Sequence, residues 1–166
     1  MKKVYLVRHP RTKRNKNNKL TGWEKTIYSK SGREQAIKIK KFFKGKRLPA
    51  YSSDLWRALS LAKSISKENK TKLHISKLLR ERNFKETKPK EFHETEKQFE
   101  KRIYSFFEKF PINKGIIITH AGVVRIILSK YKNRKKIQKF LESSRENILL
   151  IETNKKEEKL TQIELK

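Results

Sequence analysis

Two of the four histidines in this 166-residue chain stand where an apolar run stops. His9 follows Val4-Tyr-Leu-Val-Arg8, and His120 follows Gly115-Ile-Ile-Ile-Thr119 and leads into Ala121-Gly122. An imidazole is the side chain best suited to serve as nucleophile or proton carrier near neutral pH. A helix starting after His120 leaves the backbone N–H groups of Ala121 and Gly122 without intrahelical acceptors, which makes a ready anion site. Arg57 falls in the first turn of another helix that starts just after a strand. On this reading Arg8, Arg57, His9 and His120 converge on one phosphate-sized anion. Other chemistries have less to work with. There is no cysteine, which excludes disulfides, thiolate metal sites and Cys nucleophiles. Asp54 is the only aspartate, so two-aspartate metal clusters and Asp-bearing triads have little support. His93 lies among Glu91, Glu94 and Glu96, but clustered Glu and Lys in a polar stretch read as solvated, not as a metal site. His74 reads as a structural strand residue.

These candidates need strands that end together and helices that begin there. Residues 3–7 read as a strand. Ser31-Gly-Arg-Glu34 reads as a capping box opening a helix with Ala36, Ile39 and Phe43 on one side. Pro49-Ala-Tyr51 reads as a second strand, after which Ser53 or Asp54 caps a helix carrying Leu55, Ala58, Leu59, Ala62 and Ile65. Leu73-His-Ile75 is a third strand, and Arg80 to Glu94 is loop. Phe99, Ile103, Phe106, Phe107 and Phe110 mark a helix whose aromatic stripe is core packing. Gly115–Thr119 is a buried strand and Val123–Leu128 a buried helix. Ile137, Phe140 and Leu141 mark one more helix. Asn147–Glu152 and Leu160–Leu165, joined by Asn154 to Glu158, read as a terminal hairpin. Strands alternating with helices imply an α/β three-layer sandwich, a mostly parallel sheet with helices on both faces and an antiparallel edge strand. In such sheets ligands gather beyond the carboxyl ends of the strands, where His9 and His120 stand.

At 19.9 kDa the chain fits one domain, residues 1–166, large enough for a genuine core. Charged residues reach 37% against 34% hydrophobic, yet nine Phe and two Trp argue against disorder. No run is long and apolar enough for a membrane span or a signal peptide, and with the lack of cysteine this points to the cytoplasm. The net charge of +28 attracts polyanions, but the cations are spread along the whole chain. Nucleic acid is therefore expected only as a non-specific electrostatic partner.

Five segments, read together, resemble the histidine phosphatase (phosphoglycerate mutase-like) superfamily. They are Leu6-Val-Arg-His9 followed by Thr12 and Asn15; Leu20-Thr-Gly-Trp23 with Ser31-Gly-Arg-Glu-Gln-Ala36; Tyr51-Ser-Ser-Asp-Leu-Trp-Arg57; Leu79-Arg-Glu81-Arg; and Thr119-His-Ala-Gly-Val-Val-Arg125. The resemblance implies ping-pong phosphoryl transfer. His9 would attack phosphorus and form a phosphohistidine, its attacking nitrogen kept unprotonated by a hydrogen bond from the other ring nitrogen to a backbone carbonyl. Arg8, Arg57 and His120 would hold the phosphoryl oxygens. Glu81 would protonate the leaving oxygen and then activate water. Asn15, Gly22 and Ala121 would support the phosphate, and Thr21 would contact substrate. No metal or cofactor is required by this scheme. The chain departs from the family at Pro10, where glycine is usual, at Arg11, which replaces an acid and makes the site more cationic, and after Glu81, where the usual glycines are missing. A Glu81 in such a segment could instead form a surface salt bridge. Arg102 and Arg125 are further candidates to face the site, Arg125 with an ion pair as its other role.

Family mutases are longer, with extra segments that enclose substrate, so the resemblance favours a phosphatase acting on a phosphorylated small molecule or phosphoprotein. The alternatives are mutase-type transfer and a non-catalytic, nucleic-acid-binding family member. Leu160–Leu165 offers an edge for dimerisation, so both monomer and homodimer stay open.

Overall fold

The structure, a computed structural model, describes residues 2–16, 20–130, 148–153 and 158–165. The helix expected around Ile137–Leu141 and the hairpin turn at 154–157 lie outside those residues. The described strands are β1 (Lys2–Arg8), β2 (Ala50–Ser52), β3 (Leu73–Ile75), β4 (Lys114–Thr119), β5 (Ile148–Thr153) and β6 (Glu158–Ile163). The helices are α1 (Lys13–Lys16), α2 (Lys30–Phe43), α3 (Trp56–Asn69), α4 (Glu96–Lys109) and α5 (Ala121–Ser129). The six strands form one sheet in the order β3-β2-β4-β1-β5-β6. The first four run parallel, and β5 and β6 add an antiparallel hairpin. This is the expected three-layer arrangement.

Alternation along the strands builds a core on each face. Val4, Leu6, Ile117, Leu149 and Ile151 point toward α4 and α5, against Phe99, Ile103, Phe106, Val123 and Val124. Tyr5, Val7, Ile116, Ile118, Ile148 and Leu150 point the other way, onto Ile39, Phe43, Ala58, Leu61 and Ile65 of α2 and α3. With both faces covered, the central strands read as continuous apolar runs. His74 is structural, stacked on Tyr51 with centroids 4.8 Å apart.

Helix starts differ from the sequence reading in physical detail. The cap of α2 is Ser29, not Ser31: Ser29 is extended and its Oγ accepts the Gly32 N–H at 3.1 Å. Ser29 is fixed there because its own N–H donates to the Arg11 carbonyl at 3.0 Å. Helix α3 has Leu55 at its cap position and no side-chain cap. Ser53 Oγ accepts only the Leu55 N–H, before the helix proper. Asp54 is drawn off by Arg80, which donates to both carboxylate oxygens at 2.7 and 2.6 Å. The buried stripe of α3 runs through Ala58, Leu61, Ala62 and Ile65, with Leu55 and Leu59 only half-buried. A full capping box does occur, at Thr95 and Gln98 of α4.

The glycine-free segment from Arg80 to Glu94 is held by side chains. Arg102 of α4 donates through Nη1 to the carbonyls of Leu78 (2.7 Å) and Arg80 (3.0 Å), and through Nη2 to that of Glu81 (3.3 Å). The same guanidinium grips the Glu94 carboxylate through Nε and Nη2 at 2.5 and 2.7 Å. Asn83, fully buried, accepts from the Trp23 N–H and the Thr87 hydroxyl and donates to the Pro89 carbonyl. Arg102→Ala strands a largely buried carboxylate and three carbonyls, and should cost about 3–5 kcal/mol in urea unfolding. Arg102→Lys should recover only part of that, because one ammonium cannot reproduce the planar fork. A loss under about 1 kcal/mol for the alanine variant would contradict the clamp.

Candidate active site

Parallel pairing of β1 with β4 sets Arg8 opposite Thr119. The ladder runs one residue further, the His9 N–H donating to the Thr119 carbonyl at 2.9 Å. His9 and His120 therefore leave the sheet side by side, with ring centroids 5.1 Å apart and edges turned toward faces. A cavity of about 340 Å³ opens above this edge. Arg8, His9, Asn15, Thr21, Gly22, Arg57, Glu81, Ala121 and Gly122 all line it.

His9 Nδ1 lies 2.8 Å from the Pro10 carbonyl oxygen. A proton on Nδ1 makes that contact a hydrogen bond and leaves Nε2 with its lone pair. Proline lacks an N–H, but this contact uses its C=O, so the departure at residue 10 leaves it intact. The next residues are strapped to the start of α2. The Arg11 N–H donates to Gln35 Oε1 at 2.8 Å, and Thr12 bridges to Tyr28. Arg11 does not line the cavity, so its charge is not added to the site wall as expected. Asn15 Oδ1 accepts the Thr12 hydroxyl at 3.0 Å, which leaves its amide nitrogen for the cavity.

Arg57 is 2% exposed. Its Nη2 donates to the Gly22 carbonyl at 2.6 Å and its Nη1 to that of Glu24 at 3.4 Å. Burial lowers its pKa to about 10 and the charge of Glu81 opposes that shift, so the guanidinium stays charged at neutral pH. Tyr28 supports the same turn from behind, donating its hydroxyl to the Arg57 carbonyl at 2.6 Å, and burial pushes that phenol up to about 12. Gly22 makes this possible with a left-handed φ of +45°, where a Cβ would also run into Thr87 and Asn83.

Glu81 is held at the cavity instead of in a surface salt bridge. Its Oε2 accepts the Gly122 N–H at 3.2 Å and its Oε1 the Arg82 N–H at 2.9 Å. Its carbonyl takes the Trp23 indole N–H at 2.7 Å as well as Arg102. Only a glycine at 122 lets the carboxylate approach α5 so closely, since a Cβ there would clash with Oε1. Arg102 thus positions Glu81 from outside the cavity wall and does not face the site. Arg125 has both expected features: it lines the cavity and pairs with Glu96 at 2.8 Å.

Arg82, Phe84, Phe99 and Leu20 also line the cavity, and sequence reasoning did not assign them there. Arg82, next to Glu81, and Leu20, next to Thr21 and Gly22, had a positional signal. His93 is exposed, its Nδ1 3.1 Å from the Lys90 carbonyl oxygen. Among the described residues no group of three or more His, Cys, Asp or Glu could hold a metal ion, and no helix is long and apolar enough to cross a membrane.

His120 is completely buried beside His9, it does not line the cavity, and both ring nitrogens lack a hydrogen-bond partner among the described residues. Burial, reinforced by Arg57, His9, Arg8 and Arg102, lowers its pKa well below the ordinary 6.5. The imidazole is thus neutral in the folded protein, whereas the unfolded chain takes up a proton below pH 6.5. Its contribution to stability is therefore present above pH 6.5 and is lost as pH falls toward the folded-state value. The slope approaches about 1.4 kcal/mol per pH unit. Urea midpoints between pH 7.5 and 5.5 should show this fall, and His120→Asn should reduce it. An unchanged slope in that variant would remove His120 as its source.

Comparison with known proteins agrees with this geometry. The family model described as histidine phosphatase superfamily (branch 1) matches residues 4–115. Among solved structures, a phosphoglycerate mutase from Bacillus anthracis str. Sterne superposes with a TM-score of 0.78 at 19% identity, over 97% of this chain and 92% of the other. A phosphoserine phosphatase from Entamoeba histolytica, solved with 3-phosphoglyceric acid, gives 0.75 at 20%, over 97% and 95%. A mycobacterial glucosyl-3-phosphoglycerate phosphatase gives 0.74 at 15%, over 100% of both chains. These identities show the fold alone. The mutase aligns over nearly its whole length, so chain length does not separate the two activities as expected from the sequence. No match is found among curated protein sequences. With the family model covering most of the chain, including the segments that carry Arg8, His9, Arg57 and Glu81, the protein belongs to the histidine phosphatase superfamily, branch 1.

Proposed function

We propose that the protein hydrolyses phosphate monoesters of small molecules through a phosphohistidine on His9. The observation that carries this reading is the Nδ1 contact of His9 with the Pro10 carbonyl, in a cavity shared with Arg8, Arg57 and Glu81. The lone pair on Nε2 attacks phosphorus as the ester P–O bond breaks, and the Glu81 carboxyl delivers its proton to the departing oxygen. Water then attacks the phosphohistidine, Glu81 takes the proton of that water, and inorganic phosphate leaves with His9 restored. Arg8 and Arg57 hold the non-bridging oxygens, and the charge that grows on them in the transition state meets cations already in place. His120 is buried beside His9, and an oxygen on the phosphorus bound at His9 is a partner suited to its ring nitrogens. The scheme runs on side chains alone and needs no metal.

An open rim favours hydrolysis over transfer. Leu20 at the cavity is 51% exposed, and so is the Arg125 side chain. Such a rim admits water and releases the alcohol, whereas a mutase must retain its intermediate and shield the phosphoenzyme. Mutase-type transfer stays the second reading, supported by the fold shared with a phosphoglycerate mutase.

The purified protein in EDTA should hydrolyse 4-nitrophenyl phosphate, and His9→Ala should lower turnover at least about 10³-fold. In the burst of phosphoenzyme formation, Glu81→Gln should slow an alkyl phosphate by about 10²–10⁴. It should slow the nitrophenyl ester far less, because that leaving group needs no proton. Activity that persists without His9 would overturn the nucleophile, and equal slowing of both esters would overturn the acid.

A further inference from the structure

Cations that are dispersed in the sequence gather where α2 and α3 end. Residues 40–47 hold five of them and residues 67–72 hold three, with Glu68 the only carboxylate in either segment. The fold joins the two segments. The Gly45 N–H donates to Asn69 Oδ1 at 2.7 Å, and Lys40 Nζ lies 3.6 Å from Glu68 Oε2. Among the described residues that is the one ion pair these eight cations make. Cations at helix C-termini offset the macrodipole, but two helix ends account for only about one negative charge. The balance differs near the cavity, where Arg14, Arg80, Arg82, Arg102 and Arg125 each pair with a carboxylate.

A groove of about 520 Å³ runs between the helix ends, lined by Lys44, Gly45, Arg47, Glu68, Asn69 and Lys70. Its three cations are exposed. Gly45 stands at φ +79° with nothing within 4 Å of where a Cβ would be, so the groove is open above the turn. Its floor is fixed, because the buried Asn69 also donates to the Ile65 carbonyl at 3.0 Å. The Lys72 carbonyl accepts the N–H of Ala50, the first residue of β2. The groove therefore lies at the amino-terminal edge of the parallel strands, away from His9 at their carboxyl edge.

We propose that this groove binds the phosphodiester backbone of nucleic acid, at a site separate from the cavity and independent of the reaction there. A strand that repeats one phosphate per nucleotide meets several lysines and arginines at once, and release of its counter-ions drives binding. The lining residues include no aromatic ring on which a base could stack, so the backbone is held without regard to sequence. A bilayer suits the site less, since a peripheral membrane element buries apolar side chains. None of the large exposed apolar residues lies in these two segments.

The test follows fluorescence anisotropy of a labelled oligouridylate of about 12 nucleotides. With about four phosphates engaged, log K should fall against log salt with a slope of about −3. That is a loss of about 50-fold between about 50 and about 200 mM NaCl. A chain carrying Lys44→Gln, Arg47→Gln and Lys70→Gln should flatten the slope by about 2 and bind at least about tenfold more weakly at the lower salt. A control chain with Lys90→Gln, Lys97→Gln and Lys101→Gln loses the same charge from exposed positions on and just before α4. It should keep the slope and lose less than about twofold. Urea midpoints check that both chains fold. Arg47→Gln alone lies outside both helices and should still flatten the slope by about 0.7, which keeps the test intact if the triple chain unfolds. His9→Ala should bind the strand as the wild type does, so a failure of hydrolysis leaves this result standing. Equal losses in both triple chains, or a slope near zero in the wild type, overturn the site. Tighter binding of phosphatidylserine vesicles or of polyglutamate through the same three residues overturns nucleic acid as the partner.

Discussion

The carboxyl end of β4 is the fixed point from which the site is measured. The Thr119 carbonyl accepts the His9 N–H, and the Ile118 carbonyl accepts the Ser53 N–H that precedes α3 and Arg57. The Thr119 hydroxyl donates to the Leu79 carbonyl at 2.9 Å, two residues before Glu81. His120 follows directly in the chain. Four segments far apart in sequence thus take their height from two residues of one buried strand. Parallel strands that share a direction end at a common edge, and the helices after them turn their free N–H groups to it. A one-residue slip of β1 against β4 would turn Val4–Val7 inside out and carry His9 away with them.

The site rests on buried polar groups that the rest of the fold must tolerate. Arg57 keeps its charge under burial because backbone carbonyls of the 22–24 turn accept its protons and Glu81 lies within electrostatic reach. His120 takes the opposite course and sheds its charge, because it is completely buried and the neighbouring Arg57, His9, Arg8 and Arg102 add to the cost of a proton there. An orphaned imidazole next to a retained guanidinium costs stability. Groups perturbed in this way gather where chemistry is done. The remaining walls are locked more firmly: Arg102, Asn83 and Trp23 tie the segment after Glu81 to α4 and to the 20–24 turn.

Much of the element map was legible because buried strands and amphipathic helices have distinct periods. Leu73–Ile75 agrees to the residue, and the Phe99–Phe107 stripe lies on α4. Helix starts were less legible, for a physical reason. A serine or aspartate caps a helix only if nothing better claims it, and Asp54 is claimed by Arg80, which is 26 residues away. The same holds for Ser29, whose place is set by a hydrogen bond to Arg11, 18 residues earlier. The missing glycines after Glu81 left its placement open, since the arginine that holds that segment lies on another helix.

By itself the sequence determined which side chains were available for chemistry and which local segments would present them. The types and spacing of Arg8-His9, Arg57, Glu81 and Thr119-His120 carry that information, because each motif is local to one strand end or helix start. Only the tertiary structure decided that His120 is fully buried beside His9 and not on the cavity wall, that Arg11 is strapped away while Arg82 lines the cavity, and that Arg102 works from behind. Those outcomes depend on strand register and on side chains meeting from distant elements. Such contacts are set by the packing of the whole sheet against its helices, and no local pattern of residues encodes them.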